Sequence, residues 1–386
     1  MGKNIKGEAE LTFFESTSII VGHGVGAGIL SVPFLASRNT WWDILWIVAL
    51  AYAINLIMHF MIAELSYNND GAQFIKCFEK ELFVGKLKKP ATWTAFGFLG
   101  LSVLVNVAGF IAGAAAVFNS WFGLETRVGM LIYYALAALV VIFGMKLVGI
   151  CEKISVISMI LVIGVLVVAT FMSDVSPLPI EFRAPTNLIA LYSMISFSLS
   201  AVMSVPQVVK GLGGNTGRIR KSIAAGTGIN VALVLVITFI TLIGAGKGIS
   251  ENGALVDLSE HLGDWVAVVG YVFSLLALST SFWANTLNLR DIVHEQTGLS
   301  VKLSYLIATV PCLVLALFGL QTFVGFTRLA SVIQVLTGIG IIIAYNRSRK
   351  REKEAPICGG TGRLPFQIIV VISSILATAG ALLAVK

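Results

Sequence analysis

The chain has 386 residues, of which 57% are hydrophobic and 12% are charged, and its mean hydropathy is +0.90. A soluble globular protein carries about 25% charged residues, so this composition excludes a water-soluble fold and predicts an all-α polytopic membrane protein. The net charge of +7 does not indicate a nucleic-acid partner, because the basic residues are distributed by membrane side, as described below.

Eleven segments of the chain are long and apolar enough to cross a bilayer, which takes about 20 residues. We number them spans 1 to 11 in chain order: Leu11–Ala36, Asp43–Ser66, Ala91–Ser120, Val128–Lys146, Ile150–Met172, Leu188–Val209, Ile219–Ala245, Trp265–Leu289, Leu303–Leu320, Phe323–Tyr345 and Pro365–Val385. Residues 1–10 form an N-terminal segment outside the membrane, and residues 346–364 form a basic loop before span 11.

Span 1 contains several residues that disfavour a helix. Its central stretch reads VGHGVGAGILSVPF and includes Gly22, Gly24, Gly26, Gly28 and Pro33. Inside a helix, each glycine costs about 1 kcal/mol relative to alanine, and proline costs about 3 kcal/mol. The pattern therefore predicts a break in the helix. The alternative is close helix packing, because the same glycines form two GxxxG pairs.

An opened helix at membrane depth is tolerated only where it lines protein or a water-filled cavity. The half-helix that begins near Ala27 has a partially positive N-terminus, which suits a carboxylate. The carbonyls that end the preceding half-helix suit a cation or an ammonium group, so the break predicts an amino-acid site. The predicted substrate-binding residues are His23, Val25, Gly26, Ala27, Gly28, Ile29, Phe197, Ser198 and Ser200. For His23, a structural hydrogen bond and a role in proton coupling both stay open.

Span 6 repeats part of this pattern. Ser-Val-Pro occurs at Ser31–Pro33 in span 1 and again at Ser204–Pro206 in span 6. Five spans precede the second copy, so the two copies cross the membrane in opposite directions. Interrupted helices at corresponding positions of two halves indicate the binding site of a secondary transporter. We therefore predict two inverted five-helix repeats, residues 11–173 and 187–345, with helices 1 and 6 broken and with an eleventh helix at 365–386.

The basic residues predict the orientation. Of the 27 lysines and arginines, 21 fall on the side of the N-terminus and 6 on the opposite side. The positive-inside rule places the richer side in the cytoplasm. We therefore expect a multi-pass cell-membrane protein with a cytoplasmic N-terminus and an extracellular C-terminus. The basic tract NRSRKREK is interpreted as a cytoplasmic loop near anionic lipid rather than as a nucleic-acid site.

Three stretches resemble a known family. The sequence GVGAGILSVPFLA of span 1 resembles the amino acid/auxin permease group of the amino acid–polyamine–organocation superfamily. FSLSAVMSVPQVVKGL in span 6 is similar to helix 6 of that group, and LALSTSFWANTLNLRDIV in span 8 resembles helix 8 of the aromatic amino acid permeases. The resemblance covers nearly the whole chain. It implies the inverted-repeat fold and a neutral amino acid as substrate, with aromatic amino acids favoured.

The same resemblance implies a coupling ion. ALSTS in span 8 is similar to the Ala-x-x-Thr-Ser pattern that binds sodium in transporters of this fold. The implied Na⁺ ligands are the Ala277 carbonyl and the Thr280 and Ser281 hydroxyls, joined by the Gly22 and Val25 carbonyls of the opened helix. Proton-coupled relatives place a lysine on helix 5 instead, and span 5 has none in its interior. A proton carried by His23 is the alternative coupling ion.

Three functional classes can be compared on these features. A secondary transporter that imports an amino acid by cation symport explains the broken helices, and we expect it to act as a monomer in the lipid bilayer. An ion channel would not require the inverted repeat within one chain. An enzyme is not expected, because the four histidines form no HExxH pattern and no paired carboxylates occur. No cofactor other than Na⁺ or H⁺ is expected.

Overall fold

The computed structural model describes residues 5, 10–25, 28–173, 177–178, 180, 184–245, 248–250, 254–319, 338–352 and 354–383. The regular secondary structure of these ranges is helical. The helices are α1 Phe13–Val25, α2 Gly28–Ala36, α3 Trp41–Asn68, α4 Phe74–Glu81, α5 Lys88–Phe122, α6 Thr126–Ile142, α7 Met145–Phe171, α8 Pro185–Leu199, α9 Val205–Gly211, α10 Thr216–Gly244, α11 Ala254–Asp257, α12 Ser259–Leu262, α13 Trp265–Thr297, α14 Val301–Leu317, α15 at 338–351 and α16 Leu364–Leu382. Short 3₁₀ turns precede α5, α9 and α16.

Seven helical segments in the described ranges are long and apolar enough to span a membrane, and the bent pair α1–α2 forms an eighth. Helices α6 and α14 are apolar but shorter, at 17 residues each. These helices lie within or close to the predicted spans, so a helical multi-pass membrane protein is confirmed. Most of span 10 falls on residues 320–337, outside the described ranges. The count of eleven and the two inverted repeats therefore stay predictions.

Local sequence signals explain several helix ends. Helix α3 begins with a capping box, in which the Thr40 side chain accepts from the Asp43 amide and the Asp43 carboxylate accepts from the Thr40 amide. Helices α5 and α13 end at Gly123 and Gly298, whose φ values of 65° and 70° are left-handed. Gly144, with φ 81°, turns the chain before α7.

Helix 1, which is α1 with α2, lies at the centre of the bundle. It runs antiparallel to helix 6, which is α8, the 3₁₀ turn Val202–Ser204 and α9. Leu11 donates its amide to the Gly211 carbonyl at 2.8 Å near one end, whereas Gly28 lies against Phe197 farther along. This direction agrees with the opposite crossing predicted for spans 1 and 6. Helix 1 also packs on α7, α10 and α13.

Ion pairs gather at one end of the bundle. Lys146 contacts Glu15 at 2.8 Å, Arg349 contacts Glu64 at 3.0 Å, Arg351 contacts Glu81 at 2.8 Å, and Lys210 pairs with Glu295. All four basic residues belong to the side that the sequence assigns to the cytoplasm. We call this region the ion-pair end. Its contacts join helix 1 to α7, helix 6 to α13, and α15 to α3 and α4.

Candidate functional site

Both predicted helix breaks are present in the structure. Helix α1 ends at Val25, α2 begins at Gly28, and their axes differ by 50°. Helix α8 ends at Leu199, and Ser200 is extended with φ −79° and ψ 117° before the 3₁₀ turn that leads into α9. Two of the predicted substrate-binding residues, Gly26 and Ala27, lie outside the described residues.

His23 connects the two breaks. Its Nδ1 atom lies 2.8 Å from the Ser204 hydroxyl, which is the serine of the second Ser-Val-Pro. His23 is near the end of α1 and Ser204 ends the 3₁₀ turn of helix 6. The hydrogen bond gives His23 a structural role that its position in span 1 suggested. A role of His23 in proton coupling stays a proposal.

A second histidine satisfies backbone that the helix 6 break exposes. The Ala201 amide donates to Nε2 of His59 at 2.9 Å, and His59 on α3 is fully buried. The other ring nitrogen, Nδ1, lies 3.4 Å from the Thr227 hydroxyl of α10. Because Nε2 accepts, the neutral ring carries its proton on Nδ1. His59 was not among the predicted site residues, although a histidine inside span 2 was the available signal.

The glycines of helix 1 face different neighbours. A Cβ atom at Gly22 would lie 1.7 Å from Oε2 of Glu152. At Gly24 it would lie 2.1 Å from Nδ2 of Asn230 on α10. At Gly28 it would lie 2.6 Å from the Ser198 hydroxyl and 2.7 Å from the Phe197 ring. The glycines therefore allow close packing as well as the break, so the two interpretations of the sequence are compatible.

The predicted substrate-binding residues are brought together in part. Gly28, Phe197 and Ser198 are in contact where helices 1 and 6 meet. The Ser198 hydroxyl also donates to the Met194 carbonyl of its own helix at 2.8 Å. Val25 and Ile29 are fully buried.

Ser200 is the last of the predicted substrate-binding residues, and Trp283 is a buried aromatic residue on α13. Ser200 is half-buried at the end of α8. The Trp283 indole donates to the Ala137 carbonyl of α6. That hydrogen bond holds its polar edge on α6 rather than on helix 1.

The predicted cation ligands on α13 lie beside helix 1. The Thr280 hydroxyl donates to the Ala277 carbonyl at 3.0 Å, so these two oxygen ligands are adjacent. The Cβ position of Gly22 is 2.9 Å from Thr280 Cβ. Thr280 and Ser281 are both buried. The bond from Thr280 to its own helix is also what a purely structural threonine would make.

Glu152 is a second residue of this region, besides His59, that the sequence did not predict. It lies on α7, is fully buried, and neither of its carboxylate oxygens has a hydrogen-bond partner in the described part of the chain. Its Oε2 atom lies against Gly22, next to Thr280. Span 5 was predicted to begin at Ile150, which would put Glu152 at the membrane surface. The helix begins at Met145, so Glu152 is two turns inside it.

The site is built from single oxygen and nitrogen atoms contributed by several helices. Within the described ranges, no group of three or more His, Cys, Asp or Glu side chains is placed to hold a metal ion. A sodium ion would therefore depend on carbonyl, hydroxyl and single carboxylate oxygens, which suit hard cations.

A helical membrane bundle whose first and sixth spans are interrupted and packed on each other has the architecture of a secondary transporter. The chain belongs to the tryptophan/tyrosine permease family, whose model matches residues 10–379. This confirms the resemblance found in spans 1, 6 and 8. No curated protein matches the chain in sequence.

Solved structures show the same fold at low sequence identity. Mhp1, a nucleobase-cation-symport-1 family transporter, is 14% identical with a TM-score of 0.66, and the match covers 97% of this chain and 94% of Mhp1. MhsT, solved with L-phenylalanine, is 14% identical with a TM-score of 0.66 over 96% and 100% of the two chains. A Na⁺-coupled sialic acid symporter is 12% identical with a TM-score of 0.67 over 97% and 90%. The family and the fold are those of membrane transporters, not of enzymes.

Proposed function

We propose that the chain imports a neutral, aromatic amino acid by cation symport, with alternating access around a site between helices 1 and 6. The observation that carries the proposal is that α1 stops at Val25 and α8 stops at Leu199 in helices that pack on each other. We propose that the backbone amides and carbonyls that leave the helical hydrogen-bond pattern at these two ends face one region. Such a region can bind the carboxylate and the ammonium group of an amino acid together.

The aromatic preference rests on the family and on one side chain. The tryptophan/tyrosine permease family matches nearly the whole chain, and MhsT was solved with L-phenylalanine. Phe197 is half-buried beside Gly28, where an aromatic substrate could stack on its ring. We propose that His23, Val25, Gly26, Ala27, Gly28, Ile29, Phe197, Ser198 and Ser200 line the substrate site.

We propose sodium as the coupling ion. Its ligands would be the Ala277 carbonyl, the Thr280 and Ser281 hydroxyls and the Gly22 and Val25 carbonyls. The adjacency of Ala277 O and Thr280 Oγ1 at 3.0 Å supports the first two. A neighbour in the same fold is Na⁺-coupled. Protons are the second candidate, favoured by the histidine at the break and by the buried carboxylate of Glu152.

The test is uptake of labelled tryptophan, tyrosine, phenylalanine and leucine into proteoliposomes under separately imposed gradients. Sodium coupling requires uptake driven by inward sodium at equal pH on both sides. Thr280→Ala should then raise the sodium concentration needed for half-maximal uptake by about tenfold, because an ion ligand is lost. Thr286→Ala is the matched control, since its hydroxyl also bonds to its own helix on α13.

Two results would contradict parts of this proposal. Uptake driven by a pH gradient without sodium, and abolished in His23→Ala, would replace sodium by protons. Absence of uptake and of exchange for every amino acid tested would overturn the transport proposal itself. We also propose a monomer with its N-terminus in the cytoplasm and its C-terminus outside, as the basic residues indicate.

A further inference from the structure

Glu152 has an unusual environment for an acidic residue. Its side chain is fully buried, and neither oxygen has a hydrogen-bond or ion-pair partner in the described part of the chain. Burying an ionised carboxylate without a partner is costly, and buried charges are normally paired or bind an ion. Glu152 therefore needs a cation or a proton from outside the protein.

The position of Glu152 identifies what could supply that charge. Its Oε2 atom occupies the space that a side chain at position 22 would fill. The Cβ position of residue 22 is also 2.9 Å from Thr280 Cβ. Gly22 and Thr280 are both proposed sodium ligands, on helix 1 and on α13. The carboxylate thus lies beside the proposed cation site and enters it from a third helix, α7.

The neighbouring oxygens provide no compensating charge. Carbonyls and hydroxyls such as Ala277 O and Thr280 Oγ1 are neutral, and Thr280 gives its hydroxyl hydrogen to Ala277. The basic residue next to Glu152 in sequence, Lys153, is half-buried on a different face of α7. A single monovalent cation at this point would neutralise the site.

We propose that Glu152 is the charged ligand of the coupling cation, a role that rests on the proposed symport function. With the cation bound, the site is neutral and helix 1 can pack tightly on α7 and α13. Without the cation, the carboxylate of Glu152 is negative and has to be hydrated. The water that it then requires prevents helix 1 from packing tightly on α7 and α13. This difference links the binding of the cation to the closing of helix 1. Sodium and a proton share the required chemistry, which is one positive charge.

The experiment compares Glu152→Gln with Glu152→Asp in proteoliposomes. Glutamine is neutral, so it mimics a permanently neutralised site. We expect Glu152→Gln to keep exchange of labelled for unlabelled amino acid without gradients but to lose about tenfold or more of the gradient-driven accumulation. Glu152→Asp should keep driven uptake at a higher cation concentration. Glu81→Gln, a buried carboxylate at the ion-pair end, is the matched control and should keep its coupling.

Separate sodium and pH gradients show whether the positive charge at Glu152 is a sodium ion or a proton. If an inward sodium gradient drives the wild type and Glu152→Gln loses that drive, the residue binds sodium. If a pH gradient drives the wild type and the variant loses that drive, the residue carries a proton. Driven accumulation by Glu152→Gln with the wild-type cation dependence would overturn the proposal.

A binding measurement keeps the inference testable without transport. Purified wild-type protein should be stabilised against heat by sodium, or by lowering the pH, because a cation that binds only the folded state raises its stability. Glu152→Gln should lose that shift, and Glu152→Asp should keep part of it. An unchanged shift in Glu152→Gln contradicts the role of Glu152 even if no amino acid is transported, whereas failed transport with a lost shift contradicts only the proposed function.

Discussion

Single hydrogen bonds from two histidines hold the interrupted part of helix 6. His59 accepts the Ala201 amide through Nε2, and His23 meets the Ser204 hydroxyl through Nδ1. A buried backbone amide without an acceptor costs about 1–3 kcal/mol. The histidines therefore allow a non-helical segment to persist inside the bundle, where water is not available to bond to it.

The first prediction concerns His59. His59→Ala leaves the Ala201 amide without its acceptor and creates a cavity, so we expect the protein to lose about 1–3 kcal/mol of stability. His59→Gln should lose less, because its amide oxygen can take the place of Nε2. Thermal unfolding in detergent measures both. Equal melting temperatures for wild type and His59→Ala would show that the Ala201 amide does not depend on this histidine.

Glu64 is a buried carboxylate with a full set of partners, in contrast to Glu152. It pairs with Arg349 at 3.0 Å and accepts the backbone amides of Ile357 and Cys358 at 3.2 and 2.7 Å. It is 0% exposed, because the loop after α15 folds over it.

The second prediction compares Glu64 with a surface carboxylate. Glu64→Gln should lower the stability by about 1–3 kcal/mol, because the Arg349 guanidinium and two buried backbone amides lose a charged acceptor. Glu79→Gln should change it by less than about 1 kcal/mol, since the Lys76–Glu79 pair is 38% and 27% exposed. Chemical unfolding followed by tryptophan fluorescence provides the values. Similar losses in the two variants would mean that the loop does not depend on Glu64.

At the scale of elements, the packing of helix 1 depends on its glycines. The third prediction compares Gly22→Ala with Gly164→Ala. A methyl group at position 22 would displace Glu152 and press on Thr280, so we expect a severalfold loss of cation-driven uptake and a lower melting temperature. At Gly164 on α7 the added methyl meets nothing within 4 Å, and alanine favours the helix by up to about 1 kcal/mol.

Gly22→Ala and Gly164→Ala have to be compared for uptake and for melting temperature. Gly164→Ala should transport like the wild type and melt at the same or a higher temperature. If Gly22→Ala also behaves in that way, the close approach of Glu152 and helix 1 has no importance for transport.

The sequence predicted the broken elements but not all of their contacts. Glycine acts on the local backbone, so the break after Val25 is visible as composition. The break after Leu199 was inferred from the repeated Ser-Val-Pro, and its Pro206 lies at the start of α9. The contacts of His59 and Glu152 come from α3 and α7, and apolar helices carry no periodic signal for which face turns inward. Glu152 was missed because a five-residue error in the start of α7, set by Gly144, moved it from the interior to the surface.

At the scale of the whole molecule, the fourth prediction tests the orientation. Cys358 is a poor reporter, because it is 1% exposed and burial, with the nearby Glu64 carboxylate, raises the pKa of its thiol. Gly360 is exposed, and a side chain there meets nothing within 4 Å. Gly360→Cys should therefore react with an impermeant maleimide only after the cells are permeabilised.

Glu125→Cys provides the opposite arm. Position 125 is exposed in the turn between α5 and α6, which the basic residues place outside. It should react in intact cells, and the unmodified chain supplies the background from its native cysteines. Labelling of Gly360→Cys in intact cells together with protection of Glu125→Cys would reverse the topology.

The overall fold was predictable because a bilayer admits few solutions. Hydropathy located the spans that fall in the described ranges, and the ion-pair end collects basic residues that the charge bias had placed on one side. The lengths of α6 and α14 were less predictable, since each stops at 17 residues within a longer apolar stretch. Helices α6 and α14 each end two residues before a glycine with a left-handed φ, Gly144 at 81° and Gly319 at 62°, and hydropathy alone does not register such a stop.

The crowding around the glycines of helix 1 has a consequence for changing substrate selectivity. Gly22, Gly24 and Gly28 each lie against a side chain from another helix. A larger residue at any of these positions would therefore displace that neighbouring side chain and would not reduce the space for the ligand. Phe197 is the one of these neighbours on helix 6 that is half-buried and aromatic. A mutant library intended to admit larger or smaller amino acids is therefore best started at position 197, with the glycines left unchanged.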